Sequence, residues 1–141
     1  MANFVYPSAL GGFMEALFSW PVATIKMSLI RSYTVSTGHV FVSDLTGAGG
    51  VLVATHTLTG KTNVGGLVAA ADFAWPAVPA GAACNRAVVY QASAPTGGAD
   101  LAASAQRLIA LFDTADNLPT TPVGADVNWD WTDASNRVFQ L

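Results

Sequence analysis

The sequence predicts a mainly β fold, an antiparallel β-sandwich or open barrel with one short N-terminal helix. Three observations point there. Asp126-Val127-Asn128-Trp129-Asp130-Trp131 alternates strictly, the period of a strand with one wet face. Further short runs rich in Val, Thr and aromatic residues are separated by Gly, Pro and Asn, the rhythm of an all-β domain. Helical spacing is confined to one stretch near the N-terminus.

In that stretch Leu10, Phe13, Met14, Leu17 and Phe18 fall on one stripe, which predicts a helix over 7–18. Pro7 suits its first turn, and Pro21 drives Trp20 out of the helical region and ends it. Gly11 and Gly12 each cost about 1 kcal/mol relative to Ala, so the helix should form only when docked by its Phe face. Val22–Leu29 alternates and reads as a strand, as do His39–Asp44 and Val51–Leu58. Thr46–Gly50 is a turn or mobile loop; Gly60 and Gly65-Gly66 mark further turns. Leu67–Trp75 reads as a strand that Pro76 ends or marks as an edge. Ala87–Tyr90 is a short, wholly apolar strand, and Ala92–Ala103 a mobile loop. From Arg107 onward the apolar run 108–112, the loop 114–124, the alternating strand, a turn at Asp133–Asn136 and a last strand Arg137–Leu141 read as an antiparallel meander. The rest of the chain should cover its aromatic face. The length fits a single domain, 1–141, with an N-terminal arm and helix (1–20) and a β domain (21–141).

Charged residues make up 11% of the chain and hydrophobic residues 52%, against about 25% charged in an ordinary soluble domain. Since charge keeps monomers apart, a surface this poor in charge is either neutral through its many Ala, Gly, Thr and Ser residues or covered by another protein, and the second is the preferred reading. The net charge is −3, with 6 Lys and Arg lying far apart, which argues against a nucleic-acid partner. Thr62–Asn85 carries one charge, Asp72, but Gly and Pro break it too often for a membrane span. No Lys or Arg precedes Lys26, so no signal peptide is expected. The single Cys84 cannot form an internal bridge.

The search for chemistry yields no catalytic, cofactor-binding or metal-ligating residue. His39 and His56 lie outside any metal spacing and read as strand residues on polar faces. Cys84 reads as a small buried apolar residue, although pairing with a histidine would make it a nucleophile. Asp126 and Asp130 lie roughly 13 Å apart along one strand, too far for a shared ligand. Asp116-Asn117 lacks the oxygen pattern of a calcium loop. Gly47, Gly49 and Gly50 lack the Lys-Ser or Lys-Thr of a phosphate loop. Trp75, Trp129 and Trp131 are placed to pack a core; exposed and coplanar, they would instead stack on sugars.

The order of motifs resembles a family of small tailed-bacteriophage virion proteins of the capsid decoration, or cement, type. Its marks here are Phe13 and Phe18 of the helix, then Trp20 before Ile25-Lys26-Met27-Ser28-Leu29. His39-Val40-Phe41-Val42-Ser43-Asp44-Leu45, Leu58-Thr59-Gly60-Lys61, Ala71-Asp72-Phe73-Ala74-Trp75-Pro76 and Val88-Val89-Tyr90 follow. The Leu-Ile-Ala, Phe-Asp-Thr, Leu-Pro, Pro-x-Gly and Trp segments between residues 108 and 129 complete it. The resemblance implies a non-enzymatic virion component, made in a bacterial host cytoplasm and bound to the outside of the capsid. Its implied partners are the major capsid protein and further copies of itself, with no direct nucleic acid and no membrane. The candidate contact segments are Met1–Pro7, 46–50 and 92–103. The alternative is a tail or baseplate component that binds a host surface glycan.

Overall fold

The computed structural model describes residues 3–115, 118–131 and 137–140. The expectations for Met1, Ala2, Asp116-Asn117, Asp133–Asn136 and Leu141 lie outside the described residues. The chain runs β1 (Phe4–Val5), α1 (Pro7–Met14), β2 (Ile25–Arg31), α2 (Val42–Gly47), β3 (Val51–Thr57), β4 (Thr62–Val64), β5 (Leu67–Ala69) and β6 (Phe73–Trp75). It continues through β7 (Arg86–Gln91), β8 (Ser93–Ala94), β9 (Gly97–Asp100), β10 (Arg107–Phe112), β11 (Val127–Trp129) and β12 (Arg137–Gln140). The fold is mainly β and antiparallel, as the sequence predicts.

A five-stranded sheet in the order β1-β10-β7-β2-β3 is its centre. Both faces of this sheet are covered, which explains the unbroken apolar runs of β7 and β10. Along β7, Ala87 and Val89 join one core cluster while Val88 and Tyr90 join the other, the alternation a strand imposes. On the first face lie two smaller sheets, β11-β6 and β12-β5-β4. They bring Trp75, Trp129, Trp131, Val68 and Phe139 onto Ile25, Met27, Leu29 and Ile109. On the second face, Tyr6 and Ala9 of the α1 region, Tyr33, and Val42 and Leu45 of α2 cover Ile30, Val88, Tyr90, Leu108 and Leu111. The aromatic layer is thus half of a sandwich, and the helices form a third layer.

The last third of the chain is not a meander. β10 pairs with β1 and β7, β11 with β6, and β12 with β5. Alternation tells which side chains face the core; it does not say which strand supplies the ladder. The facing itself is as expected, with Trp129 and Trp131 buried and Asp126, Asn128 and Asp130 exposed. The outer edge of β10 is closed piecemeal. Phe4 and Val5 pair with Leu111 and Ala110, the Tyr6 N–H reaches the Ile109 carbonyl, and the Leu108 N–H reaches the Val40 carbonyl. The Asn3 side chain takes the N–H groups of Asp113 and Thr114 and donates to the Thr114 carbonyl.

Several elements differ from expectation. The first helix ends at Met14, well before Pro21, in a Schellman turn: Leu17 N–H bonds to the Gly12 carbonyl and Ala16 N–H to that of Phe13. Ala16 holds the left-handed residue of that turn at φ 58°. The predicted apolar stripe is split. Phe13 and Phe18 dock, but Leu10 and Met14 are 47% and 89% exposed, and the buried face is Ala9 and Gly12. Gly12 is where Phe18 lands; a Cβ there would sit 2.5 Å from the Phe18 ring. The predicted strand His39–Asp44 is instead an isolated bridge at Phe41 followed by α2. Asp44 turns it, accepting the N–H groups of Val40 and Phe41 at 2.8 and 2.9 Å. Thr46–Gly50 is the end of that helix and its turn, with Gly49 at φ 84°. The strand predicted at Val22–Leu29 is shifted to Ile25–Arg31 because Ala23 closes a turn onto Ser19. Leu67–Trp75 breaks into β5 and β6, since Ala71 N–H bonds to the Thr59 carbonyl and Asp72 takes the Trp131 N–H. Ala92–Ala103 contains the hairpin β8–β9, anchored by Ser93 Oγ on the Thr24 N–H and by the Lys26–Asp100 ion pair.

Candidate contact surface

The sequence points to no catalytic or ligand residue, and the reactive side chains lie apart in the fold. Cys84 is fully buried and bridges Thr120 through the backbone. Burial pushes its thiol up, with nearby Arg31 opposing, so the thiolate is disfavoured. His39 is not a strand residue. It follows Tyr33 in a loop, and its Nδ1 lies 2.6 Å from the Tyr33 hydroxyl, which in turn lies 3.3 Å from the Tyr6 hydroxyl. Burial first, then the hydrogen bond and charge of Tyr33, push the Tyr6 phenol well above its ordinary range. Arg86 donates to the Tyr33 carbonyl at 3.3 Å. This chain of hydroxyls and imidazole ties the loop 33–39 to the start of α1. Nothing in its composition marks these residues as neighbours, because 27 positions separate the two tyrosines.

His56 does lie on a strand, β3, but faces the covered side. Its ring stacks flat on Phe73, with centroids 4.2 Å apart and planes 3° apart. Burial pushes its imidazole down, so it is neutral around pH 7.

Two adjacent clefts share Asn3 and Phe112. The larger, of about 250 Å³, lies between β1, Ala110–Phe112 and the Val138-Phe139 pair; the smaller is bounded by Thr114, Ala115, Trp129, Asp130 and Trp131. Among the described residues that line them, Asp130 is the only side chain with a charge to offer. Among the described residues no three His, Cys, Asp or Glu side chains gather as a metal site. The arrangement offers apolar wall and backbone edges rather than an acid, a base and a nucleophile converging on one point.

Comparisons with protein families, curated proteins and solved structures gave no match.

Trp20, Trp75, Trp129 and Trp131 are all buried, and Trp75, Trp129 and Trp131 meet edge to face, at 73–80°. Coplanar exposed indoles, the mark of a sugar platform, are absent among the described residues. The N-terminal arm is docked as β1 from Phe4 onward. Of the remaining contact segments, 92–103 is a braced hairpin and 46–50 a tight turn that leads straight into β3. The feature not foreseen is β3 itself, an outer strand of the central sheet. From Leu45 to Gly60 no Asp, Glu, Lys or Arg occurs. That gap in charge was legible in the sequence, but its position on a sheet edge was not. Val64 of β4 and Val51 of β3 add exposed apolar side chains, at 75% and 44%.

Proposed function

We propose that this protein is a non-enzymatic structural component of a tailed-bacteriophage virion, a decoration protein that binds the outer capsid surface and stabilises the shell. The observation that carries the reading is a surface poor in charge, with free apolar edges, on a fold whose reactive groups are buried or locked. It is supported by the ordered run of motifs from Phe13 to Trp129 that resembles such proteins. A protein that bridges neighbouring capsid subunits buries area only on the assembled shell, so it shifts the shell's stability by mass action. Its partners on this reading are the major capsid protein and further copies of itself.

Shells stripped of the protein test the reading. They should rebind it, regain heat resistance, and do so alike at 0.1 and 1 M salt. Exposed ionic contacts weaken as the Debye length falls from about 10 Å to about 3 Å over that range, whereas apolar burial does not. Equal binding to unassembled capsid subunits would remove the bridging mechanism. Absence of the protein from purified virions would remove the reading altogether. The glycan-binding alternative needs an exposed aromatic platform, and the buried indoles give it no support.

A further inference from the structure

The outer edge of β3 is built to be paired. In the β2–β3 ladder the Leu58 N–H bonds to the Ile25 carbonyl, and the register runs Lys26–Thr57, Met27–His56, Ser28–Thr55. Hydrogen-bonded pairs alternate in such a ladder, so Leu58, His56 and Ala54 bond inward. Thr55 and Thr57 therefore turn their N–H and C=O groups away from the sheet. Among the described residues no hydrogen bond uses these backbone groups, and the Thr55 hydroxyl, bound to Ser28 Oγ, points to a face rather than the edge. Natural edge strands are guarded by charge, proline or a bulge. Here the bulge at Val53, set by the register shift between Leu29 and Ile30, guards only the first half of the strand. The half from Ala54 to Leu58 has no charge and no proline.

We propose that this half-strand pairs with the same half-strand of a second copy, antiparallel about a two-fold axis through His56, joining the two central sheets into one. The register is chosen by the backbone: Thr55 of each copy meets Thr57 of the other, so every outward group is used. His56 then faces His56 of the second copy. The second copy is favoured as occupant because the segment is its own complement. Each side chain meets a neutral one, and no charge of either copy is set against its like. The imidazole is held at the edge by its flat stack on Phe73. Burial lowers its proton affinity. The nearest cation on the adjoining strand, Lys26, is engaged by Asp100 of β9. The inference deepens the self-association part of the proposed function. A chain that binds shells yet stays monomeric would overturn it and leave the shell reading standing.

The test is sedimentation and light scattering of the full chain from micromolar to several hundred micromolar. Wild type should be dimeric at pH 7.5 and should weaken as the pH falls, because protonation would set two imidazolium groups opposite each other. Thr57→Pro removes an outward N–H and spares the inward ladder, and Thr57→Lys places a charge on the edge. Each should weaken the dimer by at least about tenfold with near-native circular dichroism. His56→Cys tests the axis directly. Facing residues of a non-hydrogen-bonded pair sit about 4.5 Å apart at Cα, within disulfide reach. Glutathione disulfide should oxidise the two thiols to an interchain bond, itself being reduced, whereas wild type, with only buried Cys84, should not cross-link. If Thr57→Pro fails to fold, Thr57→Lys and His56→Cys decide. A wild type that is monomeric throughout overturns the proposal and leaves the edge to a strand of another protein. A dimer indifferent to pH, to Thr57→Lys and to His56→Cys oxidation overturns it as well.

Discussion

Trp129 shows how one side chain carries both a core and a cost. It is 2% exposed and meets Trp75, Phe112 and Trp131 edge to face, so Trp129→Ala should lose about 3–5 kcal/mol. Its Nε1–H, however, is buried with no acceptor among the described residues, unlike those of Trp20, Trp75 and Trp131, which reach backbone carbonyls. An unpaired buried donor is itself unfavourable. Trp129→Phe should therefore cost much less than Trp129→Ala, and urea midpoints of the two variants check this. Ala16 is a second residue under strain, at φ 58° in the turn that ends α1. A left-handed non-glycine residue costs about 1–2 kcal/mol, and Ala16 is exposed. Ala16→Gly should stabilise the protein by about 1 kcal/mol, seen as a higher urea midpoint with an unchanged slope.

The two short helices owe their existence to different local devices. Residues 7–14 contain two glycines, and their helix is held by docking Ala9, Gly12 and Phe13 onto the sheet. α2 is held by Asp44, whose carboxylate takes two backbone N–H groups in the bend before the helix. Those two bonds, from Phe41 first and then Val40, hold its carboxyl below the ordinary carboxylate range. A carboxylate with a lowered folded pKa contributes stability above its unfolded pKa and loses it as pH falls through the folded value. Asp44→Ala should cost about 1 kcal/mol at pH 7. The gap between variant and wild type should close as pH drops below the usual carboxylate range. A gap unchanged down to pH 2 would mean that Asp44 acts by packing instead.

At the scale of the whole molecule, low charge is the governing property. The Lys26–Asp100 pair is exposed, and such pairs contribute about 0–1 kcal/mol. Folding here rests on the two clusters flanking the central sheet. The thermal midpoint should therefore not fall between 0.1 and 1 M sodium chloride. A drop of about 4 °C or more, worth about 1 kcal/mol in a chain of this size, would show that ionic contacts matter more than this surface suggests. The same poverty of charge leaves the β3 edge unguarded and makes contacts with other proteins a matter of backbone pairing and apolar fit.

The sequence by itself determined the class of fold, the facing of Val127, Trp129 and Trp131, the burial of Cys84 and the shortage of charge, because side-chain periodicity and composition are local properties. It also marked Ala87–Tyr90 as a wholly apolar strand, and the structure buries it on both faces. The tertiary structure alone decided the pairing of β10, β11 and β12 with three different sheets, since a ladder is chosen by partners far along the chain. It decided that Phe41 bridges Arg107, a residue far along the chain, whereas the helix that follows rests on the local bonds of Asp44 to the Val40 and Phe41 amides, which the strand reading overlooked. It decided that Leu10 and Met14 face outward, because the close approach of Phe18 to Gly12 rotates α1 away from its apolar stripe. And it decided that the uncharged run from Leu45 to Gly60 includes an open sheet edge, a fact about neighbours that no stretch of sequence can state about itself.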